Sequence, residues 1–130
     1  MNFAFTKSDF FRQTVHPILS KFPFYTYWLL KNKSYLKNTG WFRSFESGKS
    51  VDAEGNPIPW FTYGAIELLQ ERLPKDAVIF EYGCGLGTKW WAKHSLHVDA
   101  VEHDQKWYEM ISKSMPENVC LNLKELNKGY

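Results

Sequence analysis

The sequence predicts an α/β fold: a parallel sheet of about three strands with flanking helices, preceded by an aromatic-rich helical extension. Three short, mostly apolar segments, at 77–80, 97–102 and 119–123, have the length and composition of strands. Segments with helical patterns precede the first strand and separate the strands from one another. A turn with three glycines, Gly83, Gly85 and Gly87, joins the first strand to the helix that follows it, and glycine at such a turn permits a positive φ. Strands that alternate with helices pair in parallel, because a parallel connection needs a crossover.

The composition is that of one small domain or of part of a larger one. The chain has 130 residues, of which 44% are hydrophobic, and this is enough for a core. The net charge of +2 is a mild basic excess. It does not predict nucleic-acid binding, which usually needs basic residues clustered on one face.

The cysteines and the hydropathy pattern predict a cytoplasmic protein. Cys84 lies in the glycine turn and Cys120 in an apolar run, so both are expected to be reduced thiols. No apolar segment approaches the roughly 20 residues that a membrane-spanning helix needs. The N-terminus also lacks the pattern of a signal peptide.

Residues 1–60 are predicted to form an N-terminal extension and loop outside the sheet domain. Aromatic residues and lysines dominate residues 1–40, and short helices broken at Pro17 and Pro23 are expected. The favoured interpretation is an extension that packs on the core, and the alternative is a surface that rests on a membrane or a partner.

Residues 41–60 are predicted to be a loop, because glycine, proline and polar residues fill most of this stretch. Gly48-Lys49-Ser50 resembles the end of a phosphate-binding loop. That interpretation is rejected, since Arg43 stands where such a loop requires glycine and no apolar strand precedes it.

Residues 61–130 are predicted to form the sheet domain, and it begins with a helix over 61–73. Ile66, Leu69 and Leu73 share one face of that helix, Thr62 is the expected N-cap, and Pro74 ends the helix.

The first strand leads directly into the glycine turn. Ala77 to Phe80 is an unbroken apolar run, which is typical of a parallel strand covered on both faces. Glu81 stands near the carboxyl end of the strand, and Thr88 is the expected N-cap of the next helix. A second strand at 97–102 and a helix at 105–113 follow.

The spacing of the glycines separates two kinds of nucleotide-binding turn. A dinucleotide turn of the form G-x-G-x-x-G would place its third glycine at position 88, which is Thr88. The third glycine is Gly87 instead, and the pattern over 81–87 is acidic-x-G-x-G-x-G. In this motif the chain resembles the class I S-adenosylmethionine-dependent methyltransferases, which have a Rossmann-like fold. Glu102 lies 21 residues after Glu81, at the end of the next strand, where a carboxylate can accept hydrogen bonds from ribose hydroxyls.

The resemblance implies a role for each matching residue. Gly83 and Gly85 would let the backbone pass under the methionine part of the cofactor, beside the backbone of Cys84. Glu81 would face the cofactor's amino group, Glu102 would hold the ribose, and His103 and Asp104 would flank the adenine. The implied cofactor-binding set is Glu81, Tyr82, Gly83, Cys84, Gly85, Gly87, Glu102 and His103.

A wider resemblance covers roughly residues 40 to 130. Further segments along this range resemble a group of bacterial methyltransferase-like proteins. They are Gly40-Trp41, Pro57-Ile58-Pro59-Trp60, Phe80-Glu81-Tyr82-Gly83, Trp90-Trp91-Ala92, and Val101-Glu102-His103-Asp104 with Trp107-Tyr108. Trp60, Thr62 and Tyr63 precede the first helix of the sheet domain and would, by this resemblance, close over the cofactor; the alternative is that they anchor their loop to the core.

The resemblance also implies what this stretch of chain would lack. The chain contains the first three strands of the family's sheet, which predicts a truncated methyltransferase. No residue is assigned as a catalytic base, and the methyl acceptor is unknown, with a small molecule as the favoured class. The outer edge of the third strand, Val119–Leu123, is expected to be unpaired and to invite self-association.

Other interpretations stay open. Glu81 could cap N–H groups within the turn, and Glu102 could be a surface charge at a strand end. The chain could be a non-catalytic module that binds an adenosine-type ligand or a partner protein. A third alternative is a fragment of a nicotinamide-dependent oxidoreductase. A metal site at Glu102, His103 and Asp104 is disfavoured, because three adjacent residues cannot converge on one ion from a strand end.

Overall fold

The structure is a computed structural model that describes residues 14, 18, 21 and 23–126. The chain divides into two compact units, with the boundary between Asn56 and Pro57. Most of the stretch before Pro23, where short helices are predicted, lies outside the described residues.

Between Pro23 and Asn56, the described stretch of the N-terminal unit has three helices. They are α1 (Phe24–Lys33), α2 (Tyr35–Asn38) and α3 (Trp41–Ser47). Helix α1 begins directly after Pro23, as the breaking role of that proline predicts. Helix α2 is capped by Ser34, whose hydroxyl accepts a hydrogen bond from the Lys37 amide.

The prediction of a loop over 41–60 is wrong for its first seven residues, which form α3. Trp41 and Phe45, one turn apart, stack with their ring centroids 5.2 Å apart, and such i,i+4 pairs stabilise a helix. The Ser44 hydroxyl is buried and accepts a 3.0 Å hydrogen bond from the Val51 amide. Gly40 can only be glycine, because its φ is +85° and a Cβ would lie 2.2 Å from the Asp52 carbonyl carbon.

The C-terminal unit alternates helices and strands, which confirms the predicted α/β class. Its elements are α4 (Tyr63–Arg72), β1 (Val78–Tyr82), α5 (Leu86–His94), β2 (His97–Glu102), α6 (Gln105–Ser112) and β3 (Val119–Leu123). The strands form one parallel sheet in the order β1-β2-β3. The topology is Rossmann-like, and β2 is the central strand.

Helix α4 begins at Tyr63, two residues later than predicted, and Thr62 is its N-cap as predicted. The Thr62 hydroxyl caps it by accepting a hydrogen bond from the Ala65 amide at 3.3 Å. Ile66 on α4 packs with Ile58 and Trp90 in a buried cluster. Trp90 therefore packs its helix, α5, against α4.

The prediction that β1 is covered on both faces is wrong. Val78, Phe80 and Tyr82 are 64%, 58% and 88% exposed, whereas Ile79 and Glu81 on the other face are half-buried. Both crossovers, from β1 to β2 and from β2 to β3, step in the same direction across the sheet. Right-handed crossovers that step the same way place α5 and α6 on the same face of the sheet. We call the uncovered side, which carries Val78, Phe80 and Tyr82, the open face.

None of the helices in the described part of the chain has the length and apolarity needed to cross a membrane.

Candidate functional site

The candidate site lies at the carboxyl ends of β1 and β2, where the glycine turn connects β1 to α5. Gly83 has a φ of +82°, so the predicted need for a left-handed backbone is confirmed at this position. The Gly83 amide donates a 2.7 Å hydrogen bond to the Val101 carbonyl of β2. This bond continues the parallel ladder one residue past β1 and anchors the start of the turn.

Helix α5 begins at Leu86 with Gly85 as its N-cap, so the prediction of Thr88 as the N-cap is wrong. Thr88 instead lies in the first turn of the helix and caps it from there. Its Oγ1 accepts a 2.8 Å hydrogen bond from the Gly85 amide and donates one of 2.6 Å to Oε2 of Glu81. A threonine hydroxyl can satisfy the start of a helix from inside its first turn, because it both accepts and donates.

The Glu81 carboxylate lies under the start of α5. Burial raises its pKa, and hydrogen bonds from Thr88 and Trp91 oppose that rise in part. Its Oε1 is 3.5 Å from the position that a Cβ on Gly87 would occupy. A Cβ on Gly87 would also lie 3.4 Å from the Cα of Pro59, which is an ordinary van der Waals contact, so packing alone does not require glycine at this position.

The Glu102 carboxylate is 5% exposed and ties the turn to the end of β2. Oε2 accepts hydrogen bonds from the Cys84 amide at 3.1 Å and from its thiol at 3.5 Å. Oε1 accepts from the amides of His103 at 2.8 Å and Asp104 at 2.9 Å. Burial acts to raise the pKa of Glu102, but these donors outweigh it and lower the pKa below its usual range.

Cys84 is held by both of its backbone groups. Its amide donates to Glu102, and its carbonyl accepts a 2.7 Å hydrogen bond from Nε1 of Trp107. Burial, together with the hydrogen bond to Glu102, raises the pKa of the Cys84 thiol to about 12. The thiol is therefore protonated near neutral pH and acts as a hydrogen-bond donor, since only a thiolate is a good nucleophile.

Trp107 is a residue of the site that is absent from the predicted cofactor-binding set. The Asp104 side chain caps α6 by accepting a 2.9 Å hydrogen bond from the Trp107 amide. The indole then extends over the glycine turn, and its Cζ2 is 3.9 Å from the position of a Cβ on Gly85. Trp107 follows Glu102 by five residues, and this short spacing is a signal that could have placed Trp107 near the carboxyl end of β2.

The predicted cofactor-binding residues do not all lie on one side. Glu81, Gly83, Cys84, Gly85 and Glu102 meet around the turn, as the contacts above show. The Tyr82 side chain lies on the open face, opposite to Glu81, because side chains alternate along a strand. The His103 side chain is exposed, with Nδ1 3.2 Å from Oε1 of Glu102.

The residues expected to close over the cofactor have a mixed placement. The Trp60 side chain is exposed, whereas Tyr63 packs against the buried cluster. Neighbouring Phe61 makes an edge contact with Trp91, with the ring centroids 6.0 Å apart. Tyr63 and Phe61 thus anchor their segment to the core, which was the alternative interpretation.

A shallow cavity of about 420 Å³ lies far from the turn, at the opposite end of α5. Its lining residues are Gln70, Glu71, Leu73, Lys75, Lys93, His94 and Ser95. It does not include the carboxyl ends of the strands, where ligands bind in open parallel sheets.

No cluster of metal-ligating side chains occurs within residues 23–126 or at the other described positions. No protein-family model matches the chain, and no curated protein matches its sequence.

Proposed function

We propose that the C-terminal unit binds S-adenosylmethionine at the glycine turn and serves as the cofactor-binding part of a methyltransferase. The acidic-x-G-x-G-x-G motif supports this cofactor. The parallel α/β fold and the position of the turn at the carboxyl ends of β1 and β2 are compatible with it. The methyl acceptor is unidentified.

One observation carries the proposal: nothing within the fold requires glycine at position 85. The φ of Gly85 is 175°, which is extended backbone that any residue adopts. A Cβ there would meet only the Trp107 ring, at an ordinary contact distance of 3.9 Å. The space above Gly85 is therefore open, and a glycine at such a point lets a ligand approach the backbone closely.

The charges around the turn suit a cationic ligand. S-adenosylmethionine carries a positive sulfonium and a positive amino group, and the carboxylates of Glu81 and Glu102 attract both. The first amides of α5 have no acceptor within the helix, and they are available to the ligand's carboxylate.

Glu102 needs a free lone pair if it is to hold a ribose. Its four accepted hydrogen bonds use the lone pairs of both oxygens. The 3.5 Å bond from the Cys84 thiol is the weakest of them, because a thiol is a poor donor. A ribose hydroxyl is a better donor and can replace the thiol without disturbing the three amides.

The cofactor supplies an electrophilic methyl group, and this chain's residues bind and orient it. Methyl transfer depends mainly on in-line positioning of donor and acceptor. Gly83 and Gly85 allow the backbone of the turn to lie close to the cofactor. Glu102 fixes the position of the ribose, and the Trp107 indole lies on the exposed side of the turn. No residue here is assigned as a catalytic base.

Titration calorimetry on the whole chain tests the proposal. We expect S-adenosylmethionine to bind, S-adenosylhomocysteine to bind with similar or lower affinity, and NADH to give no heat. The Gly85→Ala variant should bind S-adenosylmethionine at least about 10-fold more weakly while folding normally. Gly64→Ala is the matched control, because a Cβ at Gly64 has nothing within 4 Å.

The other results point to the alternatives. No heat from any adenosine ligand, with a folded protein by circular dichroism, overturns the proposal in favour of a module that binds a partner protein. Equal binding of adenosine and S-adenosylmethionine favours a non-catalytic adenosine site. Binding of NADH in preference to S-adenosylmethionine favours a nicotinamide-dependent oxidoreductase.

A further inference from the structure

The outer edge of β1 carries backbone groups that no other described residue satisfies. The Leu96 amide donates to the Ala77 carbonyl, and the Gly83 amide donates to the Val101 carbonyl. Residues 77, 79, 81 and 83 therefore face β2, because the direction of the backbone groups alternates along a strand. Val78, Phe80 and Tyr82 direct both their N–H and C=O groups to the outer edge. Within the described part of the chain, those groups have no partner.

The same three residues carry exposed apolar side chains. Val78, Phe80 and Tyr82 lie on the open face, and the rings of Phe80 and Tyr82 contact edge to face with centroids 5.0 Å apart. Natural edge strands are usually protected by lysine, proline or a bulge. Strand β1 has none of these, and its one charged residue, Glu81, faces α5.

We propose that two copies of this chain associate through β1, antiparallel and with Phe80 opposite Phe80 on a twofold axis, to form one six-stranded sheet. In this register Val78 lies opposite Tyr82 of the second copy. Each of the three outward residues then forms a hydrogen-bonded pair, so the two strands exchange six hydrogen bonds, one for each outward N–H. No outward backbone group on either β1 is left without a partner.

The side chains of the two copies are complementary in this register. On the open face, Phe80 meets Phe80, and Tyr82 meets Val78; aromatic and β-branched residues are favourable cross-strand pairs. On the opposite face, Glu81 lies across from Ile79, so no like charges are opposed.

The other edge of the sheet is less available. Residues 119, 121 and 123 point outward on β3, because Asn118 and Lys124 bond to β2. The Val119 amide already donates to the Pro116 carbonyl, and the Leu121 carbonyl accepts a 3.4 Å hydrogen bond from the Tyr108 hydroxyl. Pairing through β1 is therefore favoured over pairing through the β3 edge, which the sequence predicts, and a twofold contact stops at a dimer.

The contact is small, so the dimer is expected to be reversible. It consists of six backbone hydrogen bonds and the side-by-side contact of three side chains from each copy, which is less than a standard interface.

Sedimentation of the full chain from about 5 µM to about 500 µM should show a monomer–dimer equilibrium without larger species. Phe80→Lys should weaken the dimer at least about 10-fold, because two lysines then face each other on the axis. Asn122→Lys adds the same charge to the open face on β3, and it should leave the equilibrium unchanged. Val78→Pro should also abolish the dimer, since it removes only an outward N–H, which an edge strand tolerates.

Oxidative cross-linking tests the register in a Cys120→Ser background. Phe80→Cys should form a disulfide-linked dimer, because the Cα atoms of a hydrogen-bonded pair are about 5.5 Å apart. Tyr82→Cys should not, since it faces Val78 of the second copy. A monomer at every concentration, equal weakening by Asn122→Lys, or cross-linking at position 82 rather than 80 each overturns the proposal.

Discussion

The hydroxyl of Thr88 donates a 2.6 Å hydrogen bond to the carboxylate of Glu81 and so joins α5 to β1. The same oxygen accepts the Gly85 amide at 2.8 Å. Thr88 is 0% exposed. One buried hydroxyl thus connects the end of the strand, the glycine turn and the start of the helix, and it holds the turn in the position that the proposed ligand requires.

Replacing Thr88 should therefore destabilise the C-terminal unit in a way that depends on the hydroxyl. Thr88→Val keeps the shape but leaves the Glu81 carboxylate and the Gly85 amide short of a partner, and we expect a loss of about 2–3 kcal/mol in the free energy of unfolding. Thr88→Ser keeps the hydroxyl and loses one methyl group, which should cost about 1 kcal/mol. Urea unfolding followed by circular dichroism measures both, and equal losses would contradict the role of the hydroxyl.

The two carboxylates should affect stability with opposite dependence on pH. The pKa of Glu81 in the folded protein is raised above its usual 4.5. The contribution of Glu81 to the free energy of unfolding is therefore present below pH 4.5 and is lost as the pH rises through the folded-state pKa. The pKa of Glu102 in the folded protein is lowered below its usual 4.5. The contribution of Glu102 to the free energy of unfolding is therefore present above pH 4.5 and is lost as the pH falls through the folded-state pKa.

Glutamine variants separate these two effects because glutamine does not titrate. As the pH rises from about 3.5 to about 7, the stability of Glu81→Gln should improve relative to the unmodified chain, and that of Glu102→Gln should fall further behind it. Thermal unfolding across that range gives the comparison. If both variants changed in the same direction, the hydrogen-bond pattern at one of the carboxylates would be wrong.

The Cys84 thiol should compete with the ligand for Glu102. If ribose hydroxyls replace the thiol, Cys84→Ala removes the competitor, and S-adenosylmethionine should bind about 2- to 5-fold more tightly. Cys84→Ser introduces a stronger donor of similar size and should weaken binding by a similar factor. Titration calorimetry on both variants checks this, and a change of the same sign in both would mean that the thiol does not compete.

Much of the C-terminal unit was predictable from local patterns. Thr62 as a helix cap, Gly83 as a left-handed turn residue and the three strand positions are all confirmed. The cap at Thr88 was misplaced by a few residues, because the hydroxyl can serve from either side of a helix start. Helix α3 was not predicted, because the many polar residues, glycines and prolines of the stretch 41–60 are typical of a loop. The helical i,i+4 spacing of Trp41 and Phe45 was the signal for a helix in that stretch.

For the C-terminal unit, the sequence by itself determined the order of helices and strands and the position of the glycine turn. These follow from the spacing of apolar residues and from the backbone preference of glycine, which act over a few neighbouring residues. Only the tertiary structure decided that Glu102 binds the Cys84 amide, that Trp107 binds the Cys84 carbonyl, and that one face of β1 is uncovered. The two hydrogen bonds join residues that are 18 or more positions apart in the chain, so they depend on which elements become neighbours. The uncovered face of β1 depends on the side of the sheet over which each crossover passes.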